Sequence, residues 1–205
     1  MTAKTILIIR KHSLAIPCMF FVFLVFLHSV PAASSTAEAL VPSFGEGKVK
    51  VRLYMDYFCP PCRDMEPSIE PVISALIKNK VINLTFADTP FYKLSSLYVR
   101  YFLYALNEKN DLEHALTVRR VLIEAAKNRV DTAEKLEAHL KANNIALKPF
   151  DPKPTFDILS GHLNKDQIKA TPSCVIEADG KADKYVGGKD IVDALIRLKK
   201  EQPRK

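Results

Sequence analysis

Residues 57–67 read YFCPPCRDMEP, and the two cysteines in this stretch decide how the rest of the chain is interpreted. Cys59 directly follows an alternating segment, and Pro60 stands at the first position of a helical pattern, where proline is tolerated. A helix N-terminus favours negative charge, so Cys59 is predicted to be an exposed thiol that ionises readily and attacks as a nucleophile. Cys62 lies within one helical turn of it and is predicted to be the resolving thiol.

The segments on either side of the cysteine pair predict a strand, a helix and a second strand. Residues 49–55 alternate between apolar and polar side chains, which is typical of a strand. From residue 60 the apolar side chains recur at helical spacing, and residues 81–86 alternate again. This order favours a βαβ unit with the cysteine pair at its first junction.

The middle of the chain keeps helical spacing over a long stretch. Residues 91–145 predict a block of three helices, the third of which opens at Asp131 with Glu134 three residues later as its capping partner. Tyr98, Tyr101 and Phe102 are expected to pack in the core of this block.

The last part of the chain returns to a period of two after one more helix, which is predicted within residues 152–168. Residues 173–178 and 181–186 predict two strands, joined by a tight turn at residues 179–180. A closing helix follows Gly187–Gly188.

Three further features accompany the cysteine pair and produce a resemblance to a known family. Pro67 lies five residues after the second cysteine, Thr171–Pro172 stands between a helix and a strand, and Gly187–Gly188 follows the last strand. Together with the CPPC segment these features resemble the thioredoxin superfamily. With the helical block, residues 48–200 most resemble its DsbA-like branch of envelope oxidoreductases.

The resemblance implies an α/β architecture, a thioredoxin-like fold of order β-α-β … β-β-α with an inserted helical subdomain. Residues 48–90 and 146–205 would form the thioredoxin-like domain, and residues 91–145 the helical insertion. Thr171 and Pro172 would form a cis-proline loop that binds the substrate chain. Three prolines would support the motif: Pro60, Pro61 and Pro67.

The same resemblance implies a thiol:disulfide oxidoreductase that acts on protein thiols through Cys59 and Cys62, without a cofactor. An oxidase is favoured, with a membrane redox partner. Isomerases of this superfamily usually dimerise through an added N-terminal domain that residues 34–47 cannot supply, which leaves the oxidase ahead of the reductase. A monomer is expected. A reductase of the cytochrome c maturation type is the first alternative.

Two positions depart from the family pattern. Leu53 stands six residues before the first cysteine, where the family often buries an acid, and the nearby Asp56 is predicted to lie at the surface. Pro61 stands where strong oxidants of this branch commonly carry histidine, so it offers the Cys59 thiolate neither a charge nor an N–H. We therefore expect a reduction potential of intermediate value.

Metal binding is the main competing interpretation of the cysteine pair. A zinc site needs four ligands, but Cys174 is alone and the histidines are scattered, so no metal site is predicted. A non-catalytic copper-binding protein that uses Cys59 and Cys62 stays open. Cys174 is expected to be a small buried strand residue, because free cysteines are often buried.

The N-terminus carries the pattern of a secretory signal peptide. Residues 1–33 place lysines and an arginine first, then the apolar run of residues 14–27, then small residues. That run is short for a membrane span, which favours cleavage over a retained anchor and predicts a periplasmic protein. Residues 34–47 are predicted to be a flexible leader. The net charge of +7, with Lys and Glu interspersed, does not favour nucleic acid binding.

Overall fold

A computed structural model describes residues 39–200 of the chain, and the predicted signal peptide lies outside this range. The strands and helices follow one another in this order: β1 (Ser43–Phe44), β2 (Val49–Met55), α1 (Pro60–Lys78), β3 (Ile82–Asp88), α2 (Ser95–Glu108), α3 (Leu112–Lys127), α4 (Ala133–Ala142), α5 (Lys153–Lys165), β4 (Ser173–Ala178), β5 (Lys181–Val186) and α6 (Gly188–Lys200). Within the described range, no helix is both long enough and apolar enough to cross a bilayer.

One mixed sheet organises these elements, with the strand order β1-β3-β2-β4-β5. β2 and β3 run parallel, as the crossover through α1 requires, and the other neighbours are antiparallel. The central strand β2 is buried on both faces because α1 covers one face of the sheet and α5 the other. The predicted thioredoxin-like order is confirmed.

The helical block lies between β3 and α5 and contains α2, α3 and α4. Tyr98, Tyr101 and Phe102 are buried in it, as predicted. The cap of α4 differs from the prediction, because the side chain of Thr132, one residue after Asp131, accepts the hydrogen bond from the N–H of Lys135. Asp131 instead forms an exposed ion pair with Lys135.

The segment before β2 is part of the sheet, so the prediction of a flexible leader is wrong for residues 39–47. β1 pairs antiparallel with β3, and Phe44 is buried against the core. Gly47 makes this close approach possible, since a Cβ at that position would lie 2.0 Å from the carbonyl carbon of Val81. Two residues of strand are too short to show an alternating pattern, which is why the sequence did not reveal β1.

Candidate functional site

Three loops meet at one end of the sheet and bring the predicted site residues together. β2 and β3 are parallel neighbours, so their carboxyl ends share this end with the start of the antiparallel strand β4. Cys59 follows β2, residues 89–94 follow β3, and Thr171–Pro172 precedes β4. Because β2 lies between β3 and β4, Cys59 stands between the other two loops.

Cys59 occupies the N-cap position of α1, with Pro60 and Pro61 in the first turn. Its thiol donates a hydrogen bond to the carbonyl oxygen of Thr171, with an Sγ–O distance of 3.3 Å. The residue is only 3 % exposed, so the prediction of an exposed thiol is wrong. The Thr171 loop contacts Cys59 and buries it. This loop lies 112 residues away in the sequence, so the residues around Cys59 could not predict the burial.

Cys62 is buried one turn further along α1. Burial raises the pKa of the Cys62 thiol well above its usual value, and a hydrogen bond with the Cys59 side chain raises it further. Both thiols are buried, but Cys59 lies at the helix terminus against the Thr171 carbonyl, whereas Cys62 lies within the helix. This asymmetry is what a nucleophile and a resolving thiol require.

The peptide bond between Thr171 and Pro172 is cis, as predicted. The carbonyl of Pro172 accepts a hydrogen bond from the N–H of Gly187, and Ser173 Oγ donates to the carbonyl of Ala170, so both sides of the loop are fixed. Next on the strand, Cys174 is fully buried, as expected of a small strand residue. Burial raises its pKa to about 12.

Asp56 is buried, contrary to the prediction of a surface position. Its carboxylate accepts hydrogen bonds from the backbone N–H groups of Phe58 and Phe91, at 2.8 and 3.0 Å, and from the hydroxyl of Ser95 at 2.7 Å. Burial raises the pKa of Asp56, and these three hydrogen bonds counteract the shift. Asp56 thus ties the turn before Cys59 to the loop that follows β3.

A second buried polar group escaped prediction and lies between the helical block and the cysteine segment. Arg119 of α3 forms ion pairs with Glu66 of α1 at 2.8 Å and with Asp88 of β3 at 2.7 Å. The hydroxyl of Tyr57, two residues before Cys59, donates to Asp88 at 2.8 Å. The sequence did contain a signal for this group, since Arg119 lies on the apolar face of a predicted helix. A cation in that position needs buried partners.

A groove with mostly apolar walls runs beside the cysteine segment, between α1 and α6. Its volume is about 410 Å³, and it is lined by Pro61, Met65, Ser68 and Val192 together with the charged Asp64, Lys189 and Asp193. Gly188 belongs to the same wall, and a Cβ there would lie 3.2 Å from the Cβ of Met65. The predicted glycine break is therefore a point of close contact between the two helices.

Pro67 and the possible metal ligands are the last features that the sequence predicted near the cysteine pair. α1 continues through Pro67, which lies inside the helix. Across residues 39–200, no three His, Cys, Asp or Glu side chains form a group that could hold a metal ion.

Several solved structures share the fold at low sequence identity. Proteus mirabilis ScsC in a transitional conformation has a TM-score of 0.61 and 24 % identity, covering 78 % of this chain and 70 % of that chain. A periplasmic thioredoxin-like protein from Salmonella enterica serovar Typhimurium has a TM-score of 0.58 and 19 % identity, covering 78 % and 89 % of the two chains. The thiol-disulfide exchange protein alpha-DsbA2 from Wolbachia pipientis has a TM-score of 0.53 and 16 % identity, covering 79 % and 87 %.

The sequence comparisons agree with the fold. Among curated proteins, none matches the sequence at a significant level. A family model described as "Thioredoxin" matches residues 45–187, which is more than half of the chain. The chain therefore belongs to the thioredoxin family, with the DsbA-like arrangement in which a helical block interrupts the thioredoxin fold.

Proposed function

We propose that the protein is a thiol:disulfide oxidoreductase of the DsbA-like type, acting as an oxidase through Cys59 and Cys62. The observation that carries this proposal is the asymmetry of the two thiols. Cys59 occupies the N-cap position of α1 and its thiol contacts the Thr171 carbonyl, whereas burial raises the pKa of Cys62. In a mixed disulfide at Cys59, the neighbouring Cys62 is the thiol positioned for exchange.

The proposed reaction moves two electrons from a substrate dithiol to the Cys59–Cys62 disulfide. A substrate thiolate attacks Cys59 Sγ, the bond between Cys59 and Cys62 breaks, and Cys62 Sγ leaves with the electron pair and takes up a proton. The second substrate thiolate then attacks the substrate sulfur of the mixed disulfide, and Cys59 leaves as a thiolate that the helix N-terminus stabilises. The substrate gains one disulfide, and the protein is left with two reduced cysteines.

Thr171 and Pro172 are proposed to bind the substrate backbone. The Thr171 carbonyl lies against Cys59 Sγ, so a chain that reaches this sulfur passes the loop. The groove beside Pro61 and Met65 is proposed to receive a membrane redox partner that reoxidises the pair. Its position next to the CPPC segment and its apolar walls support this assignment.

The cell envelope is the proposed location, and the protein is proposed to act there as a monomer. The signal-peptide pattern of residues 1–33 supports export. The Salmonella protein with the same fold is described as periplasmic, which agrees with that location. An oxidising compartment is also where disulfides formed by the protein would persist.

A trapping experiment tests the roles of the two cysteines. Cys62→Ser should accumulate mixed disulfides with envelope proteins, because the attacking thiol is kept and the resolving thiol is lost. Cys59→Ser should trap none. Cys174→Ser in the Cys62→Ser background is the matched control and should trap as well as Cys62→Ser alone, since Cys174 is fully buried. Trapping by the Cys59→Ser variant would overturn the assignment.

The direction of electron flow is tested by the reduction potential of the Cys59–Cys62 pair, measured by equilibration with glutathione. Whatever stabilises the reduced form makes the pair more oxidising, and Pro61 contributes no charge or donor. We expect a value between about −270 mV, as in thioredoxin, and about −120 mV, as in DsbA. Pro61→His should raise the potential. A wild-type value at or below that of thioredoxin would favour the reductase.

A further inference from the structure

The structure describes the reduced form of the cysteine pair, in which Cys59 and Cys62 are both free thiols. The Cys59 thiol donates a hydrogen bond to the carbonyl oxygen of Thr171, with 3.3 Å between Sγ and that oxygen. A cysteine sulfur donates only through its S–H hydrogen. A disulfide between Cys59 and Cys62 carries no such hydrogen, so oxidation of the pair takes this donor away from the Thr171 carbonyl.

Both segments that form the contact are held by other hydrogen bonds. The carbonyl of Pro172, directly after Thr171, accepts the N–H of Gly187 at 3.0 Å, and the N–H of Cys59 donates to the carbonyl of Asp56 at 3.1 Å. These bonds join backbone groups and do not involve the hydrogen on either sulfur. We therefore expect the Thr171 oxygen to keep facing Cys59 when the thiol hydrogen is lost.

The same oxygen is the acceptor that a bound chain needs. The proposed function places the backbone of a substrate against Thr171, and a backbone N–H is the group that pairs with a carbonyl. In the oxidised protein such an N–H satisfies a partly buried acceptor that has lost its partner, whereas in the reduced protein the Cys59 thiol already satisfies it. A carbonyl oxygen has two lone pairs, but a second hydrogen bond gains less than the first because no unpaired acceptor is left.

We propose that the Cys59 thiol and a backbone N–H of the substrate compete for the Thr171 carbonyl, so that the oxidised protein binds a chain more tightly than the reduced protein does. The inference rests on the proposed function and adds a mechanism of product release to it. The protein holds a chain while its own disulfide is intact and loosens its hold once that disulfide has been transferred.

The competition follows from where the protons of the reaction go. The substrate dithiol loses two electrons and two protons and gains an S–S bond, while the bond between Cys59 and Cys62 breaks and both of these sulfurs are reduced. Cys62 takes up one proton as it leaves, and the Cys59 thiolate takes up the other. That second proton is the hydrogen that Cys59 donates to Thr171, and the bond that it makes displaces the backbone of the product.

The test compares the affinity of one peptide for the oxidised and the reduced protein by NMR titration. The peptide is short and alanine-rich, with a central serine in place of cysteine, so it binds without reacting. The ultraviolet absorbance of the thiolate is used to choose a pH at which Cys59 holds its proton. The oxidised protein should bind about threefold more tightly, near the lower end of what one hydrogen bond contributes, because S–H is a weak donor. Equal affinity for the two forms would overturn the proposal.

A change in the peptide backbone separates the hydrogen bond from other differences between the two forms. Esters replace the amide N–H groups around the central serine one at a time, which removes a donor and keeps every side chain. With the ester at the position that faces Thr171, the difference in affinity should vanish, because the oxidised protein loses the bond that favoured it. A difference that persists with every ester would show that another feature distinguishes the two forms, and it would overturn the proposal.

Two cysteine variants form a matched pair, because neither of them can form the disulfide. Under reducing conditions Cys62→Ala keeps the Cys59 thiol and should bind the amide peptide as weakly as the reduced wild type. Cys59→Ala lacks the donor and should bind as tightly as the oxidised wild type, although nothing has been oxidised. Equal affinity of the two variants, or the opposite order, would overturn the proposal.

Failure of the proposed function would look different. A wild-type protein that binds the peptide more tightly when oxidised, but does not oxidise a reduced dithiol peptide, would refute the oxidase and leave the competition at Thr171 intact. A wild type that oxidises the dithiol peptide, but binds the serine peptide equally in both forms, would refute the competition alone.

Discussion

Arg119 and Arg52 each bind two carboxylates beside a tyrosine, on opposite faces of the same sheet. Arg119 lies under the helical block, between Glu66 and Asp88, and its guanidinium stands 4.4 Å from the ring centroid of Phe86. Arg52 of β2 lies under α5 and binds Asp166 at 2.6 Å and Glu177 at 3.1 Å. In both groups the tyrosine hydroxyl donates to one of the carboxylates.

The two groups differ in their access to water. The side chains of Arg119, Glu66 and Asp88 are all at most 5 % exposed, whereas that of Glu177, beside Arg52, is 29 % exposed. Water can therefore solvate part of the Arg52 group if a partner is lost, but it cannot reach the charges around Arg119. Removing one member of a fully buried ion pair is costly mainly because an uncompensated charge stays behind.

The two groups also join different elements of the fold. Arg119 joins α3 of the helical block to α1 and β3, the elements next to the cysteine segment. Arg52 joins the outer side of the sheet to the end of α5. The ion pairs of Arg119 thus attach the helical block to the elements beside the cysteine pair.

Replacing Arg119 should have the largest effect. Arg119→Met leaves two buried carboxylates without a cation and should reduce the free energy of unfolding by about 3–5 kcal/mol. Lys135→Met is the control, because Lys135 pairs with Asp131 at the surface, where both side chains are more than half exposed and loss costs about 0–1 kcal/mol. Urea unfolding followed by circular dichroism measures both. Equal losses in the two variants would show that burial does not determine the cost of losing an ion pair.

Replacing Arg52 should have a smaller effect. Arg52→Met removes the hydrogen bonds to Asp166 and Glu177, but the hydroxyl of Tyr54 still donates to Asp166 and water can approach Glu177. We expect a loss of about 1.5–3 kcal/mol, the range for hydrogen bonds to charged groups. The same urea experiment compares this loss with that of Arg119→Met. A larger loss for Arg52 would reverse the order of the two groups.

The smallest expected effect is a change in acid stability through Asp166. Burial pushes the pKa of Asp166 up, but hydrogen bonds from Arg52 and Tyr54 outweigh it and hold the pKa below the usual 3.8. A lowered pKa in the folded state contributes stability that is complete above pH 3.8 and disappears as the pH falls through the folded pKa.

Asp166→Asn should therefore unfold more easily than the wild type near neutral pH, and the difference should narrow as the pH falls below about 4, where the wild-type carboxylate takes up its proton. Unfolding free energies measured between about pH 2 and pH 7 test this, because that range spans the ordinary pKa of an aspartate. A difference that stays constant over the whole range would show that the Asp166 charge contributes nothing.

Local patterns in the sequence were sufficient to predict most of the fold. Alternation in β2 and β3, helical spacing in α1 and the CPPC segment each depend on residues close together in the chain. The burial of Cys174 was predicted from its place in a strand, and the cis bond before Pro172 from the resemblance to the family; both are confirmed. The roles of these residues in a reaction stay predictions until the trapping experiment is done.

The buried polar contacts could not be predicted because they join distant residues. Asp56 reaches Ser95 39 residues later, and Arg119 reaches Glu66 53 residues earlier. Nothing near Asp56 in the sequence distinguishes a carboxylate that fixes two loops from one that faces water. The burial of Cys59 under Thr171 escaped for the same reason.

The short strand β1 has a consequence for how the protein avoids association with other chains. Residues 42–47 occupy the outer side of β3, through pairing at Leu84 and Thr85 and through backbone bonds from Phe86 to Pro42 and from Gly47 to Ile82. The opposite edge of the sheet, β5, is protected differently, since Lys181, Asp183 and Lys184 are exposed along it. A proteolytic cut after residue 47 would uncover β3 as a ready template for intermolecular strand pairing and aggregation. The segment before β2 therefore covers the edge of β3 and keeps it from pairing with another chain.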